Sequence, residues 1–397
     1  MKTIYEVLQR KHLQLLMLAV ALTPLLYFSW SGNVDLNVYR TGGYAWLHDI
    51  SLYSEGFGQL VPWIALPFTY PPLAAVLFVP LHLLPMPLAD LALCVSSAAA
   101  LTATLLVVSS RLLQGWSKAA AALGLGMTVA AFAFEPIRST IGFGQVNLVL
   151  MALVALDCLL PQTRWPRGVL VGLAAAIKLT PAVFVLYFLV RRQYREAMVA
   201  VATFAGLGVL GFALAPRDSA KYWFGVLLDP SRIGGATYSY NQCLQAFLSR
   251  VMVDGPVRSL LWLGLVAVTG VLAAVAARRA RAAGDDVLAL LAIACWGLLA
   301  SPVSWSHHWV WVVPAALYFG YHRHRLMLLA TIPFLFGPHA LLVPEGRDWS
   351  WPEQVFGAGY VVLGLAFLAT AALSGTFQDR RDAVRLGQAL NSEARMR

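Results

Sequence analysis

The sequence predicts an all-α polytopic membrane protein, and three observations carry that prediction. Of the 397 residues, 59% are hydrophobic and only 12% are charged, which excludes an ordinary water-soluble globular protein. The apolar runs are long and do not alternate with polar residues, so transmembrane helices are favoured over a β-barrel. The basic residues lie mostly in short segments between these runs. The net charge of +10 is therefore explained by the positive-inside rule rather than by nucleic-acid binding.

The first element is the apolar run from Leu13 to Trp30, which follows Lys2, Arg10 and Lys11. No small-x-small cleavage motif follows it and further apolar runs do, so we interpret it as a retained signal anchor. About twelve transmembrane helices result when every basic cluster is placed on the cytoplasmic side. The predicted complete spans are 12–30, 88–110, 119–134, 145–160, 196–215, 256–277, 286–302, 309–321, 326–342 and 354–374.

Two segments must then be exceptions. Segment 70–86 has prolines at both ends and is predicted to be a juxtamembrane helix on or dipping into the outer face. Segment 168–190 is broken at Lys178 and Pro181, because proline removes a backbone donor and a charge inside an apolar run is costly. We predict two short helices there, with Lys178 at the outer turn.

The predicted organisation is a single transmembrane domain over residues 1–375, followed by a charged cytoplasmic tail over 376–397. Its large outer loops are 31–87 and 216–255. Most polar residues that the topology does not explain fall in outer loops. The site is therefore expected on the periplasmic face of the plasma membrane.

Asp35 is the first candidate site residue, because it directly follows the first span at the edge of the hydrocarbon, where a carboxylate without a role is costly. A catalyst that acts on a lipid-borne phosphate needs a carboxylate at that depth. An ordinary polar residue at a helix end explains the position equally well. Lys178 is expected to point into a polar cavity with a phosphate as its counter-charge, or else to snorkel to the headgroups.

His307 and His308 could donate hydrogen bonds to a phosphate, bind a metal, or be structural. Adjacent helical residues diverge by about 100°, so both cannot easily share one metal with Asp35. We therefore favour phosphate contact by one of them. Neutral polar and aromatic residues suit sugar hydroxyls, although an interfacial aromatic belt or a plain helix start would use similar residues.

Taken together, these segments resemble glycosyltransferase family 87, the polyprenol-phosphate-mannose-dependent mannosyltransferases. No single motif is specific, but the set keeps its order along the chain. One departure is Cys243, where the family usually has Ser after Asn-Gln. The segments that carry the resemblance are Asp35-Leu36-Asn37-Val38-Tyr39-Arg40, Phe68-Thr69-Tyr70-Pro71-Pro72-Leu73, Gly144-Gln145-Val146-Asn147, Lys178-Leu179-Thr180-Pro181, Asn241-Gln242, Ser301-Pro302 and His307-His308.

The resemblance implies a GT-C fold and an inverting, metal-independent transfer of mannose from polyprenyl-phosphate-mannose, without a cofactor. The implied acceptor is a phosphatidylinositol mannoside, extended through an α-1,2 linkage, and the implied general base is Asp35. The expected contacts to the donor phosphate are Lys178, His307, His308, Arg138 and Arg217. The expected contacts to the acceptor or sugar are Tyr39, Arg40, Tyr70, Gln145, Asn147, Asn241 and Gln242.

The expected partners are these two substrates and membrane lipids, with no nucleic acid, and the chain is expected to be a monomer. Two alternatives within the family are a lipomannan- or lipoarabinomannan-branching mannosyltransferase and an arabinosyltransferase. A lipid or solute transporter is the rival of another class, although internal repeats typical of many transporters are not found. A purely structural membrane subunit would not need Asp35, Lys178 and two histidines on one face.

Overall fold

The computed structural model describes residues 33–61, 66–229 and 234–373, so the predicted first span and the tail 376–397 lie outside the described residues. The described residues form helices and no β-strand, with two isolated β-bridges. This agrees with the predicted all-helical class. The α-helices are α1 (Val34–Leu47), α2 (Pro72–Leu83), α3 (Met86–Leu112), α4 (Lys118–Ala131), α5 (Glu135–Gly142), α6 (Asn147–Leu159), α7 (Val169–Ile177), α8 (Val185–Val190), α9 (Tyr194–Leu214), α10 (Pro216–Phe224), α11 (Leu244–Val251), α12 (Pro256–Ala282), α13 (Asp286–Ala300), α14 (Val312–Tyr321), α15 (Arg325–Leu329), α16 (Pro333–Phe336), α17 (Trp351–Gly357) and α18 (Gly359–Leu373).

Three of the described helices, α3, α9 and α12, are long and apolar enough to cross a membrane. At 21 to 27 residues each they extend about 30–40 Å, which matches a bilayer core. Counting the bent pairs α4/α5 and α17/α18 as one span each raises the number to at most five within the described ranges. Several shorter apolar helices accompany them. The count of twelve spans and the GT-C fold remain predictions.

The two predicted exceptions are short helices in the structure. Segment 70–86 contains α2, which has 12 residues and starts directly after Pro71. Segment 168–190 contains α7, which ends at Ile177, followed by an extended Lys178 with φ −145° and ψ 129°. A 3₁₀ turn over Thr180–Phe184 and the short α8 complete the segment. The break falls where the sequence predicts it, because Pro181 has no backbone N–H to donate to the carbonyl of Ile177, where α7 ends.

Small residues on α12 allow the helices around it to approach closely. Ala273, Ala276, Ala277 and Ala280 are at most 3% exposed, and α12 packs against both α13 and α18. Without large side chains between them, the backbones come near enough for extensive van der Waals contact, which is a major force between helices in lipid.

Two arginines gather around one aspartate at one end of the bundle. Asp286, at the start of α13, forms ion pairs with Arg111 at the end of α3 and with Arg191 just after α8. Arg191 also lies over the ring of Tyr187, whose hydroxyl donates to the Cys158 carbonyl at the end of α6. Since α6 has 13 residues and begins at Asn147, its first turn lies about 20 Å from this cluster.

Candidate active site

The first turn of α1 is seated on the turn that ends α5, and this places Asp35. The backbone N–H groups of Asp35 and Leu36 donate to the Phe143 carbonyl at 2.9 and 3.2 Å. Gly144 adopts φ +67°, and a Cβ built there would stand 2.6 Å from the Cβ of Leu36. Only a residue without a side chain lets the turn approach α1 this closely. The position of Asp35 is thus fixed by the turn at residues 143–144.

Asp35 is half-buried and lines a cavity of about 410 Å³. Burial raises the pKa of its carboxyl group to about 6, while the positive charge of Lys178 and the amide of Gln145 oppose the rise. The carboxyl group is therefore mostly ionised at pH 7 and is only about one pH unit from protonation. This is the range in which a carboxylate is an effective general base.

A hydrogen-bonded triad supports the wall beside Asp35. The hydroxyl groups of Tyr39 and Tyr70 are 2.9 Å apart, and both donate to Gln145 Oε1, at 2.7 and 3.3 Å. Tyr39 is fully buried and stacks on Phe78, whereas Tyr70 and Gln145 line the cavity. Tyr39 therefore supports the wall from behind, and only Tyr70 and Gln145 face the cavity.

Lys178 points into the same cavity from the break after α7. Its Nζ donates to Asn147 Oδ1 at 3.1 Å and lies 3.1 Å from His308 Nε2. The ammonium group also stands 5.5 Å from the centroid of the Tyr70 ring. Burial and then the charge of Lys178 lower the pKa of the His308 imidazole well below its usual value. His308 is thus neutral at pH 7, and the positive charge at this point belongs to Lys178.

His307 and His308 are carried by the 3₁₀ turn Ser306–Trp311. The carbonyl of His307 accepts from Thr140 Oγ1 and from Asn147 Nδ2, both at 2.9 Å. The two imidazole rings are nearly perpendicular, at 86°, and both line the cavity. His307 is 7% exposed, and its Nε2 has no hydrogen-bond partner in the part of the chain that the structure describes.

Three of the predicted cationic contacts point elsewhere. Arg40 donates to the carbonyls of Leu81 and Leu84 at the end of α2. Arg138 donates to carbonyls, including that of Leu335, and Arg217 is exposed on α10. None of the three arginines lines the cavity. Among the described residues that line the cavity, Lys178 is the only lysine or arginine.

Asn241 and Gln242 are fully buried and support a loop instead of lining the cavity. Asn241 Oδ1 accepts from the Ser304 N–H at 3.0 Å, and Gln242 Nε2 donates to the carbonyls of Ser239 and Gly357 at 2.8 Å each. These contacts join the loop at 237–242 to the segment that leads into His307. The structure thus gives both residues a positioning role.

Two features of the site were not among the predicted site residues. The buried Glu135 accepts from the hydroxyls of Ser139, Ser306 and Tyr360 at 2.6, 2.9 and 2.7 Å, which anchors the residue before His307. The aromatic residues Tyr238, Tyr240 and Trp305 form part of the cavity wall. The sequence could have indicated Glu135, because it is a carboxylate in a predicted outer segment close to other candidate residues. For the three aromatic residues the sequence contained no feature that distinguishes a cavity wall from a membrane interface.

Within the described ranges, no group of three or more His, Cys, Asp or Glu side chains is arranged to hold a metal ion. The expectation of a metal-independent reaction remains a prediction.

Comparisons with known proteins agree on one family. The family model for glycosyltransferase family 87 matches residues 68–302. A Mycobacterium tuberculosis H37Rv protein named polyprenol-phosphate-mannose-dependent alpha-(1-2)-phosphatidylinositol mannoside mannosyltransferase is 40% identical over 370 residues, which cover 87% of this chain and 85% of that protein. A protein from M. tuberculosis CDC 1551, named as the corresponding pentamannoside mannosyltransferase, is 36% identical over 359 residues, covering 86% and 81%. No solved structure matches the chain.

Proposed function

Because this chain belongs to glycosyltransferase family 87, we propose that it transfers mannose from polyprenol-phosphate-mannose to a phosphatidylinositol mannoside through an α-1,2 linkage. The names of relatives at 40% and 38% identity supply the two substrates and the linkage. The observation in the structure that best supports the proposal is that one cavity places the carboxylate of Asp35 together with the Lys178–His308 pair. Those are the two chemical functions that the transfer needs.

The Lys178 end of the cavity suits the donor. Lys178 carries the charge that a phosphate requires. Because an ammonium group only donates, Nε2 of a neutral His308 accepts from Lys178, and Nδ1 carries the N–H that can be donated to a ligand. A second, mostly apolar cavity of about 60 Å³ shares His308 with the first and is lined in addition by Asn147, Pro181 and Leu298. An isoprenoid chain leaving the phosphate at this point would enter an apolar environment.

Asp35 acts as the general base of a direct displacement. Its carboxylate accepts the proton of the acceptor hydroxyl as the oxygen bonds to the anomeric carbon of mannose. The bond from that carbon to the phosphate oxygen breaks, and its electron pair leaves with the polyprenyl phosphate. The negative charge that builds up on the leaving group is stabilised by Lys178. A single displacement inverts the anomeric carbon, so a β-linked donor gives an α-mannoside.

The arrangement of the bundle supports an extracytoplasmic location for the site. The Arg111–Asp286–Arg191 cluster lies at one end of α6, and Asn147, beside the cavity, lies at the other. Basic clusters favour the cytoplasmic side of a membrane. The cavity is therefore assigned to the opposite face, where sugar nucleotides are absent and a lipid-linked donor is required.

The test is transfer of radiolabelled mannose from polyprenyl-phosphate-mannose to phosphatidylinositol mannosides by the purified protein. Wild-type protein should form a labelled product. Asp35→Asn should reduce kcat by at least about 10²-fold, the lower bound typical of a general base, with little change in either KM. Asp49→Asn is the matched control, because Asp49 is an exposed carboxylate in the same loop. A wild-type enzyme that transfers no mannose, or an Asp35→Asn variant with wild-type turnover, contradicts the proposal.

A further inference from the structure

Three aromatic residues, Tyr238, Tyr240 and Trp305, form a surface that we name the aromatic shelf. All three line the cavity that contains Asp35. The rings of Tyr238 and Tyr240 are stacked, with centroids 5.5 Å apart and planes at 22°. The Trp305 ring stands at 73° to that of Tyr238, with centroids 6.0 Å apart. The shelf therefore presents rings in two orientations to the cavity.

The backbone holds the shelf in place. The N–H of Gln242 donates to the Ser304 carbonyl at 2.7 Å, and the N–H of Ser306 donates to the Tyr240 carbonyl at 2.8 Å. These bonds flank the antiparallel bridge that pairs Asn241 with Trp305. Rings fixed before a ligand arrives lose little conformational entropy when it binds.

Three polar groups at the shelf have no hydrogen-bond partner among the described residues. The hydroxyl groups of Tyr238 and Tyr240 have no hydrogen-bond partner among the described residues, since only ring contacts involve these two side chains. His307, two residues after Trp305, is 7% exposed, and its Nε2 has no partner within the described ranges. A buried polar atom without a partner costs free energy, so the unpaired Nε2 of His307, a residue that lines the cavity, is a candidate for pairing with a ligand group.

The chemistry of this wall differs from that of the Lys178 wall. None of the three residues of the aromatic shelf carries a charge. Each has a largely apolar ring with one polar group at its edge, a hydroxyl in tyrosine and an indole N–H in tryptophan. Such side chains provide rigid amphipathic contact area. A pyranose ring has the complementary character, with C–H bonds on its faces and hydroxyls on its rim. The cavity volume of about 410 Å³ lies within the range of about 300–1,000 Å³ that small-molecule sites occupy.

We propose that the aromatic shelf and His307 bind a sugar ring of the acceptor, adjacent to the mannose whose hydroxyl is glycosylated. This proposal rests on the proposed function. It assigns the acceptor carbohydrate to Tyr238, Tyr240 and Trp305, while the donor occupies the Lys178–His308 end. The enzyme thereby selects acceptors by their mannose chain and not only by their lipid.

The test compares acceptor and donor KM values for Tyr238→Leu and Trp305→Leu. Each variant should raise the acceptor KM roughly tenfold, equivalent to about 1.4 kcal/mol, with the donor KM unchanged. Tyr238→Phe keeps the ring and should stay closer to wild type. Trp351→Leu is the matched control, since Trp351 is 69% exposed and does not line the cavity.

Soluble α-mannobiose separates sugar recognition from lipid recognition. It should inhibit the wild-type enzyme competitively with the acceptor and should inhibit Tyr238→Leu much less. Absence of inhibition of the wild type, an unchanged acceptor KM in both leucine variants, or an equal rise in Trp351→Leu overturns the assignment. A wild-type enzyme without any transfer from polyprenyl-phosphate-mannose refutes the proposed function instead, so the two failures are distinguishable.

Discussion

Replacing Gly144 by alanine tests whether the turn at residues 143–144 positions the general base. The new Cβ would stand 2.6 Å from the Cβ of Leu36, whereas carbon atoms in contact are normally about 3.5–4.0 Å apart. The first turn of α1 must therefore move by about 1 Å. The backbone at φ +67° adds a further cost of about 1–2 kcal/mol for a residue with a side chain.

This displacement should act on catalysis more than on substrate binding. Asp35 immediately precedes Leu36 and donates its backbone N–H to Phe143, so it moves with the turn. Misplacement of a reacting group by 1 Å can cost about 10²-fold in rate. We expect Gly144→Ala to lower kcat by about that factor at saturating donor and acceptor, with the donor KM little changed because Lys178 lies on another element.

The assay is steady-state mannose transfer by purified protein, accompanied by thermal unfolding to confirm that the variant is folded at the assay temperature. Gly142→Ala is the control, because a Cβ there meets nothing within 4 Å and the residue ends α5 in a helical conformation. It should retain wild-type kcat. A Gly144→Ala enzyme with a lower unfolding temperature but wild-type kcat would refute the idea that this turn sets the position of Asp35.

Three further predictions follow from the same geometry. The kcat/KM of the wild type should fall tenfold per pH unit below about pH 6, where Asp35 becomes protonated. In Lys178→Met this acidic limb should move to higher pH, because the lost positive charge no longer favours the carboxylate. A limb at an unchanged pH would contradict the electrostatic coupling of Asp35 to Lys178. Glu135→Gln should lower the midpoint temperature of thermal unfolding, because one amide oxygen cannot accept all three hydrogen bonds that the hydroxyls donate to the carboxylate. An unsatisfied buried hydroxyl costs about 1–3 kcal/mol. An unchanged midpoint would contradict the anchoring role of Glu135. In intact cells a membrane-impermeant maleimide should label Ala236→Cys and not Gln162→Cys, since both positions are exposed and are assigned to opposite sides of the membrane. Background labelling should be low because all four native cysteines are buried. The opposite labelling pattern would invert the assigned topology.

The sequence by itself determined the class of protein and singled out two of the residues that line the cavity, Asp35 and Lys178. Long apolar runs with few charges predict membrane helices wherever they fold, because the bilayer imposes that requirement locally. The break at Lys178 could be predicted for a similar reason, since Pro181 removes a backbone donor of an α-helix whatever surrounds it. Asp35 was identifiable from its place after the first span and from the ordered motifs shared with the family.

The direction of each side chain was decided by the tertiary structure alone. Arg138 and Arg217 were candidate phosphate ligands and Arg40 a candidate acceptor ligand. Arg40 and Arg138 are instead turned toward backbone carbonyls, and Arg217 lies on the surface. Asn241 suited a sugar by composition and instead holds the loop backbone.

The cavity wall itself joins residues that are far apart in the chain. Ser306 meets Glu135 across 171 positions, and Lys178 meets His308 across 130. Local composition specifies which segments are helical and where they break, because those preferences act within a few residues. Which side chains share a cavity depends on how the helices pack, and that information is distributed over the whole chain.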